Sequence, residues 1–207
     1  MANEATEATD APVAPVAPVA SRRVRADAQR NIATVLEAAK AVFAESGVDA
    51  PVREVAAKAG VGVGTIYRHF PQRADLVAAV FRREVDACAE EAQALAAQLE
   101  PGEALAAWLH RYTGFIATKR GLGSALHSGD PAFDPLPAYF QEHLGPALGS
   151  LLAAAVAAGE IREGVDPNDL LMAVANLSVP TPGDGGGQPQ PMVALLIDGL
   201  RYGARAH

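Results

Sequence analysis

The sequence predicts an all-α chain with two functional halves. Apolar residues recur at i, i+3, i+4 and i+7 over long windows, the stripe of an amphipathic helix. No window shows the alternation of a half-buried strand. Pro and Gly punctuate the periodic windows, at Gly47, Pro51, Pro71 and Pro101-Gly102. The 207 residues allow one large domain or two small ones. Half of them are apolar, although much of that share is Ala, which buries little area.

The elements follow in order. Residues 1–24 contain APVAPVAPVA, whose Pro at every third position favours polyproline II. This stretch is expected to be a disordered tail, and the fold to begin at residue 25. From Asp27 to Ser46 the apolar positions Ile32, Val35, Leu36, Ala39, Val42 and Phe43 form one helical stripe, stopped by Gly47. Pro51 opens a short helix, where its missing N–H costs nothing. Val52, Val55, Ala56 and Ala59 share a face of that helix. A second short helix is predicted over 63–69, broken at Pro71. A long one runs from about Arg73 to Leu99, with Leu76, Val80, Phe81, Val85, Cys88 and Leu95 on its apolar face. Further helices are predicted near 103–120, 138–159, 167–178 and 192–204. Between the last two, PTPGDGGGQPQP cannot be regular structure.

Composition narrows the function. Cys88 is the single cysteine, so no intramolecular disulfide forms, which fits a reducing compartment. The longest apolar run, LLAAAVAA at 151–158, falls far short of the roughly 20 residues of a membrane span. The N-terminus lacks the pattern of a secretory signal. A soluble cytoplasmic protein with no membrane partner is expected. The net charge of −7 is unevenly spread. Residues 1–20 carry −3, residues 21–83 carry +5 and residues 84–207 carry −9. A basic section on an acidic body suits a polyanionic partner, and chance clustering of solvated charge explains it as well.

The stretch AGVGVGTIYRHF, residues 59–70, decides between two chemistries. A dinucleotide loop needs a preceding strand and the spacing G-x-G-x-x-G; here the spacing is G-x-G-x-G after a helix. A phosphate loop would need Gly-Lys-Ser/Thr, and no lysine is present. A helix-turn-helix fits instead. Gly60 stands just past the first helix, where a left-handed backbone is common, and Gly62 can cap the second. Gly64 would admit a DNA backbone. Thr65, Tyr67, Arg68 and His69 are displayed beside Ile66 and Phe70, and their donors suit phosphates and base edges.

PVREVAAKAGVGVGTIYRHFPQRADLVAAV resembles the DNA-binding segment of the tetracycline-repressor (TetR) family of bacterial regulators, and NIATVLEAAKAVFAESGVDA resembles its first helix. The resemblance is close over residues 27–83 and only architectural beyond. Gly62 and Gln72 stand where the family carries Ser, which weakens capping by tenths to about 1 kcal/mol. The resemblance implies that Thr65 and Tyr67 face the major groove, that Tyr67 and His69 reach phosphates, that Arg73 grips the backbone and that Arg53 adds a contact. It also implies a homodimer whose partner is a palindromic operator of double-stranded DNA. A helical effector domain over residues 73–207 is expected behind a DNA-binding domain over 25–72.

Six of the eleven aromatics lie between Trp108 and Phe140. Trp108, Tyr112, Phe115 and Phe133 are therefore either ordinary core or the wall of an apolar pocket, with His127, His143 and Tyr112 as anchors and GDPAFDPLP as a gate. An apolar or aromatic effector, not strongly anionic, is expected. The resemblance implies a dimer contact through the last two helices. Leu170, Leu171, Val174 and Leu177 form one apolar face; Val193, Leu196, Ile197 and Leu200 form another; Gly199 and Gly203 would permit close approach. The same faces could instead pack within one chain. No HExxH, nucleophile elbow or metal-ligand spacing is present, so no enzyme, metal or cofactor is expected.

Overall fold

The computed structural model describes residues 19–178 and 190–202, all helices and connections, with no strand among them. The helices are α1 (Val19–Ser46), α2 (Val52–Ala59), α3 (Val63–His69), α4 (Arg73–Gln98), α5 (Pro101–Gly121), α6 (Gly123–Leu126), α7 (Leu136–Ala157), α8 (Pro167–Leu177) and α9 (Gln190–Tyr202). A 3-10 turn at Pro131–Phe133 precedes α7. Among the described residues no helix is long and apolar enough to cross a membrane.

Three boundaries differ from the sequence expectation, one being that α9 starts at Gln190, inside the stretch 180–191 read as irregular, of which 180–189 lie outside the described residues. Residues 1–18 of the expected tail lie outside the described residues, but 19–24 are already helical. The physical reason is local. Pro18 is the last proline before Pro51, and the Ala- and Arg-rich chain beyond it favours a helix. The segment 129–137, expected to be an irregular loop, contains the 3-10 turn. Asp130 Oδ1 accepts the Ala132 N–H at 2.9 Å and so sets its start.

α4 organises the molecule. Its 26 residues span about 39 Å at 1.5 Å each. Its first half packs on α1 and buries Leu76, Val77 and Val80 in the same apolar cluster as Val35, Ala39, Val42 and Phe43 of α1, Val55 of α2 and Ile66 of α3. Its second half packs between α5 and α7, with Val85, Cys88 and Ala92 buried. Polar bonds fix each half. Toward the N-terminal helices, Arg73 donates to the Val48 carbonyl and Arg83 to the Ala33 carbonyl. Lys40 Nζ lies 2.8 Å from the buried Glu84 carboxylate. Toward the other side, Tyr139 donates to Asp86 at 2.5 Å, Trp108 Nε1 to the Cys88 carbonyl at 2.7 Å, and Arg111 Nε to Glu91 at 2.6 Å.

The N-terminal end of α5 is closed by Glu160, which accepts the Gly102 N–H at 3.0 Å. A Cβ on Gly102 would collide with that carboxylate oxygen, so any larger residue would displace it. Burial pushes the Cys88 thiol up to about 12, which makes it an inert core residue and not a nucleophile.

The two lysine pairs of the N-terminal half should differ sharply in worth. Lys40→Met strands a buried carboxylate and should cost about 2 kcal/mol, less than a fully buried pair because Lys40 is part-exposed. Lys58→Met removes a surface pair with Glu45 and should stay within about 0.5 kcal/mol. Adding Glu84→Leu to Lys40→Met should restore most of the stability. Urea unfolding at neutral pH measures all three.

Candidate nucleic-acid interface and effector cavity

The α2–α3 pair is built by its turn. Gly60 has φ 67° and ψ 29°, the left-handed region that L residues avoid. Its N–H donates to the Ala57 carbonyl at 3.3 Å, and the Val61 N–H donates to Ala56 at 3.0 Å. These two bonds satisfy the end of α2 in a Schellman motif. α3 starts without a side-chain cap: Gly62 holds an extended backbone, and its carbonyl accepts the Thr65 N–H at 2.9 Å. α4 is capped despite Gln72, because Asp75 accepts the Gln72 N–H at 2.9 Å.

Only Ile66 of α3 is fully buried, so the helix is held as a ridge with one inward anchor. Val63, Gly64, Tyr67, Arg68 and His69 are exposed and Thr65 is part-buried. Tyr67 is 48% exposed, which excludes a core role for it. Arg53, at the start of α2, is exposed as well. Arg73 is part-buried and donates to Val48, so its guanidinium ties α4 to the α1–α2 connection whatever else it touches. His69 also lies on the edge of a cleft shared with Phe70, Pro71, Pro131, Ala132 and Pro135.

The six expected effector residues do not form one site. Trp108, Tyr112 and Phe115 are buried core. Trp108 stacks on Tyr112 at 5.6 Å and Tyr112 on Phe115 at 5.8 Å. Burial raises the Tyr112 phenol well above its ordinary value, so it is no ready polar anchor. His143 lies elsewhere, stacked on Tyr139 at 4.0 Å in a groove of small side chains between α4 and α7.

His127 and Phe133 do come together. They line a cavity of about 300 Å³ with Phe81, Lys119, Leu126, Leu136, Phe140 and Met172. Phe140 stacks on Phe115 at 5.8 Å and so joins the cavity wall to the buried aromatic row. Sequence reasoning misses Lys119 and Phe140 as members of this site. In the sequence Lys119 is one more surface cation, and only the turn of α5 shows that it faces an aromatic wall.

The dimer residues also divide. Leu170, Val174 and Leu200 are buried within the chain, with Leu171, Val193 and Ile197. For these residues the structure follows the alternative of packing within one chain rather than the dimer contact: the stripe that periodicity reveals is the one turned to the chain's own core. Leu196 is half-buried and Gly199 exposed, while Gly203 lies outside the described residues. The outward apolar side chains are Met172 (62% exposed), Met192, Leu195 (64%) and Tyr202 (88%).

A family model described as bacterial regulatory proteins of the tetR family matches residues 35–80. A second, described as the C-terminal domain of SbtR-like transcriptional regulators, matches residues 100–202. A TetR transcriptional regulator from Streptomyces coelicolor is 36% identical; the alignment covers 82% of this chain and 98% of that one, with a TM-score of 0.71. A TetR regulatory protein from Mycobacterium vanbaalenii is also 36% identical, with 86% and 99% covered and a TM-score of 0.68. An HTH-type transcriptional regulator of Staphylococcus aureus is 38% identical over 64 residues, which are 30% of this chain. The chain spans about a third (35%) of the length of that curated relative.

An exposed helix-turn-helix on a helical body, with these matches, defines a DNA-binding transcriptional regulator rather than an enzyme. Within that class, the chain belongs to the TetR family.

Gly64 offers a clean test of DNA approach. No protein atom lies within 4 Å of a Cβ built on it. Gly64→Ala should leave the free protein intact or stabilise it by up to about 1 kcal/mol. Fluorescence anisotropy should nevertheless show weaker DNA binding if a phosphate passes over this position. Gly60→Ala should do the reverse first, lowering the thermal midpoint through about 1–2 kcal/mol of backbone strain.

Proposed function

We propose that this protein is a cytoplasmic repressor that binds a palindromic operator as a homodimer and is released by a small effector with an apolar or aromatic body. In this reading residues 25–72 are the DNA-binding domain and 73–207 the effector and dimerisation domain. α3 enters the major groove, with Thr65 and Tyr67 at base edges and Arg53, Arg68 and Tyr67 on phosphates. Arg73 contacts the backbone only with whatever donors its bond to Val48 leaves free.

One observation carries the ligand response. The turn at Pro131–Phe133 belongs to two surfaces. Phe133 lines the 300 Å³ cavity. Its neighbours Pro131, Ala132 and Pro135 face His69, Phe70 and Pro71, the end of the recognition helix, across a second cleft. A ligand that presses on Phe133 therefore acts on the segment nearest to α3. Its leverage equals its difference in affinity for the two arrangements, and nothing more.

For the dimer, the outward face of α8 and α9 supplies what the inward stripe cannot. Met172, Met192, Leu195 and Tyr202 are large, apolar and exposed on these two helices. Gly199, exposed on α9, lets a second helix come close.

Two measurements test the reading. Selection of bound genomic fragments should return an inverted repeat with half-sites about one helical turn apart or a little more; unrelated fragments would sink the palindromic site. On that operator Arg68→Ala should weaken specific and scrambled duplexes alike. It should also lower the salt slope by about one unit in each subunit for every phosphate left without its cation. Thr65→Ala should cost about 1–3 kcal/mol on the operator alone, with little change in slope.

Separately, Leu195→Glu should yield folded monomer by light scattering and abolish tight operator binding. Leu170→Glu, by contrast, should lower the thermal midpoint, because that side chain is in the core. An unchanged dimer in Leu195→Glu would move the interface off α9.

A further inference from the structure

The cavity beside Phe133 carries a charge that its setting does not explain. The chain has three lysines. Lys40 pairs with Glu84 and Lys58 with Glu45. Lys119 pairs with no carboxylate among the described residues, although residues 84–207 carry a net −9. Its Nζ instead lies 5.4 Å from the Phe140 ring centroid, a cation–π contact. None of the ten residues lining the cavity is acidic. Phe81, Leu126, Phe133, Leu136, Phe140 and Met172 make the rest of the wall mainly apolar. Burial lowers the Lys119 ammonium below its ordinary value, so the site gains by holding a counter-ion.

We infer that this cavity binds a monocarboxylic acid with an apolar or aromatic body, and that Lys119 reads its carboxylate. A single lysine is a point charge without the fork that suits a dianionic phosphate. His127 donates Nδ1–H to the Gly123 carbonyl at 2.7 Å, so that nitrogen is already committed to the backbone. Lys119 is the one Lys or Arg side chain among the residues lining the cavity, and one cation matches one negative charge. At ~30 Å³ per non-hydrogen atom, water's share of liquid volume, the space holds about ten such atoms. An aryl-propanoate or a medium-chain fatty acid is of that size. The local charge thus reverses what the acidic domain as a whole suggests. This inference rests on the proposed effector reading for its biological role, but not for its chemistry.

The test uses the full chain and matched probes: 3-phenylpropanoate with 3-phenylpropanamide, and octanoate with octanamide. Calorimetry should show each acid binding wild type about tenfold or more tightly than its amide, since a charge-assisted bond replaces a neutral one. Lys119→Met should erase that preference, while Lys119→Arg should keep most of it. Retained thermal midpoints in both variants certify the fold. Equal binding of acid and amide, an acid preference that survives Lys119→Met, or no binding by any of the four probes would overturn the inference. Operator release is read separately. Lys119-dependent acid binding without DNA release would uphold the cavity chemistry and defeat the effector reading. Failure of the acids, beside release by a neutral apolar compound that Phe133→Trp blocks, would do the opposite.

Discussion

One helix runs the length of a single apolar core that joins both halves, and the rest of the structure follows from that. α4 gives that core Leu76, Val77 and Val80 from its first half and Val85, Cys88 and Ala92 from its second, and all six belong to the same buried cluster. Its polar fastenings change sides within two residues. Glu84 is the last to bond toward α1, and Asp86 is the first to bond toward α7. The short helices of the DNA-binding half are too small to support a core alone: α2 and α3 have 8 and 7 residues. They bury enough only because α1 and α4 lie over them.

Much of this was legible in the sequence, and the parts that were not share a cause. Periodicity gave the long helices because each turns a single apolar stripe inward. Gly60 and Pro51 marked the turn because only certain residues tolerate those backbones. At the C-terminus periodicity left two readings open. Leu170, Val174 and Leu200 stand out in the pattern because they are core, whereas Leu195 and Tyr202, off the stripe, are the exposed ones. A stripe identifies a helix's buried face but does not say which chain buries it.

The aromatic cluster had the same ambiguity. Trp108, Tyr112 and Phe115 share a helix face, and their spacing fits a pocket wall and a core equally well. What separates them from Phe140 and Phe133 is tertiary. The first three are overlaid by α4 and α7, while the last two border unfilled space. The short α6 and the 3-10 turn, which bring His127 and Phe133 to one place, have four and three residues. Elements of that length carry no period to read.

The fastening of α4 constrains how any signal could pass. Arg73, Arg83 and the Lys40–Glu84 pair hold the first three turns of α4 to α1 and its C-terminal connection. A push on the Pro131–Phe133 turn therefore meets a unit tied at three levels, not a hinge at the recognition helix. Distorting α3 would require Ile66 to leave the core, at a cost of about 2–5 kcal/mol if its side chain became fully exposed. Tilting α1–α4 as one body breaks none of those bonds. It moves the exposed ridge of Tyr67 and Arg68 as a whole, and a two-fold dimer would turn that tilt into a change in the distance between two intact recognition helices. DNA fixes that distance by its helical repeat. Release would then come from misregister of two well-formed readers, with each one's own turn at Gly60 undisturbed.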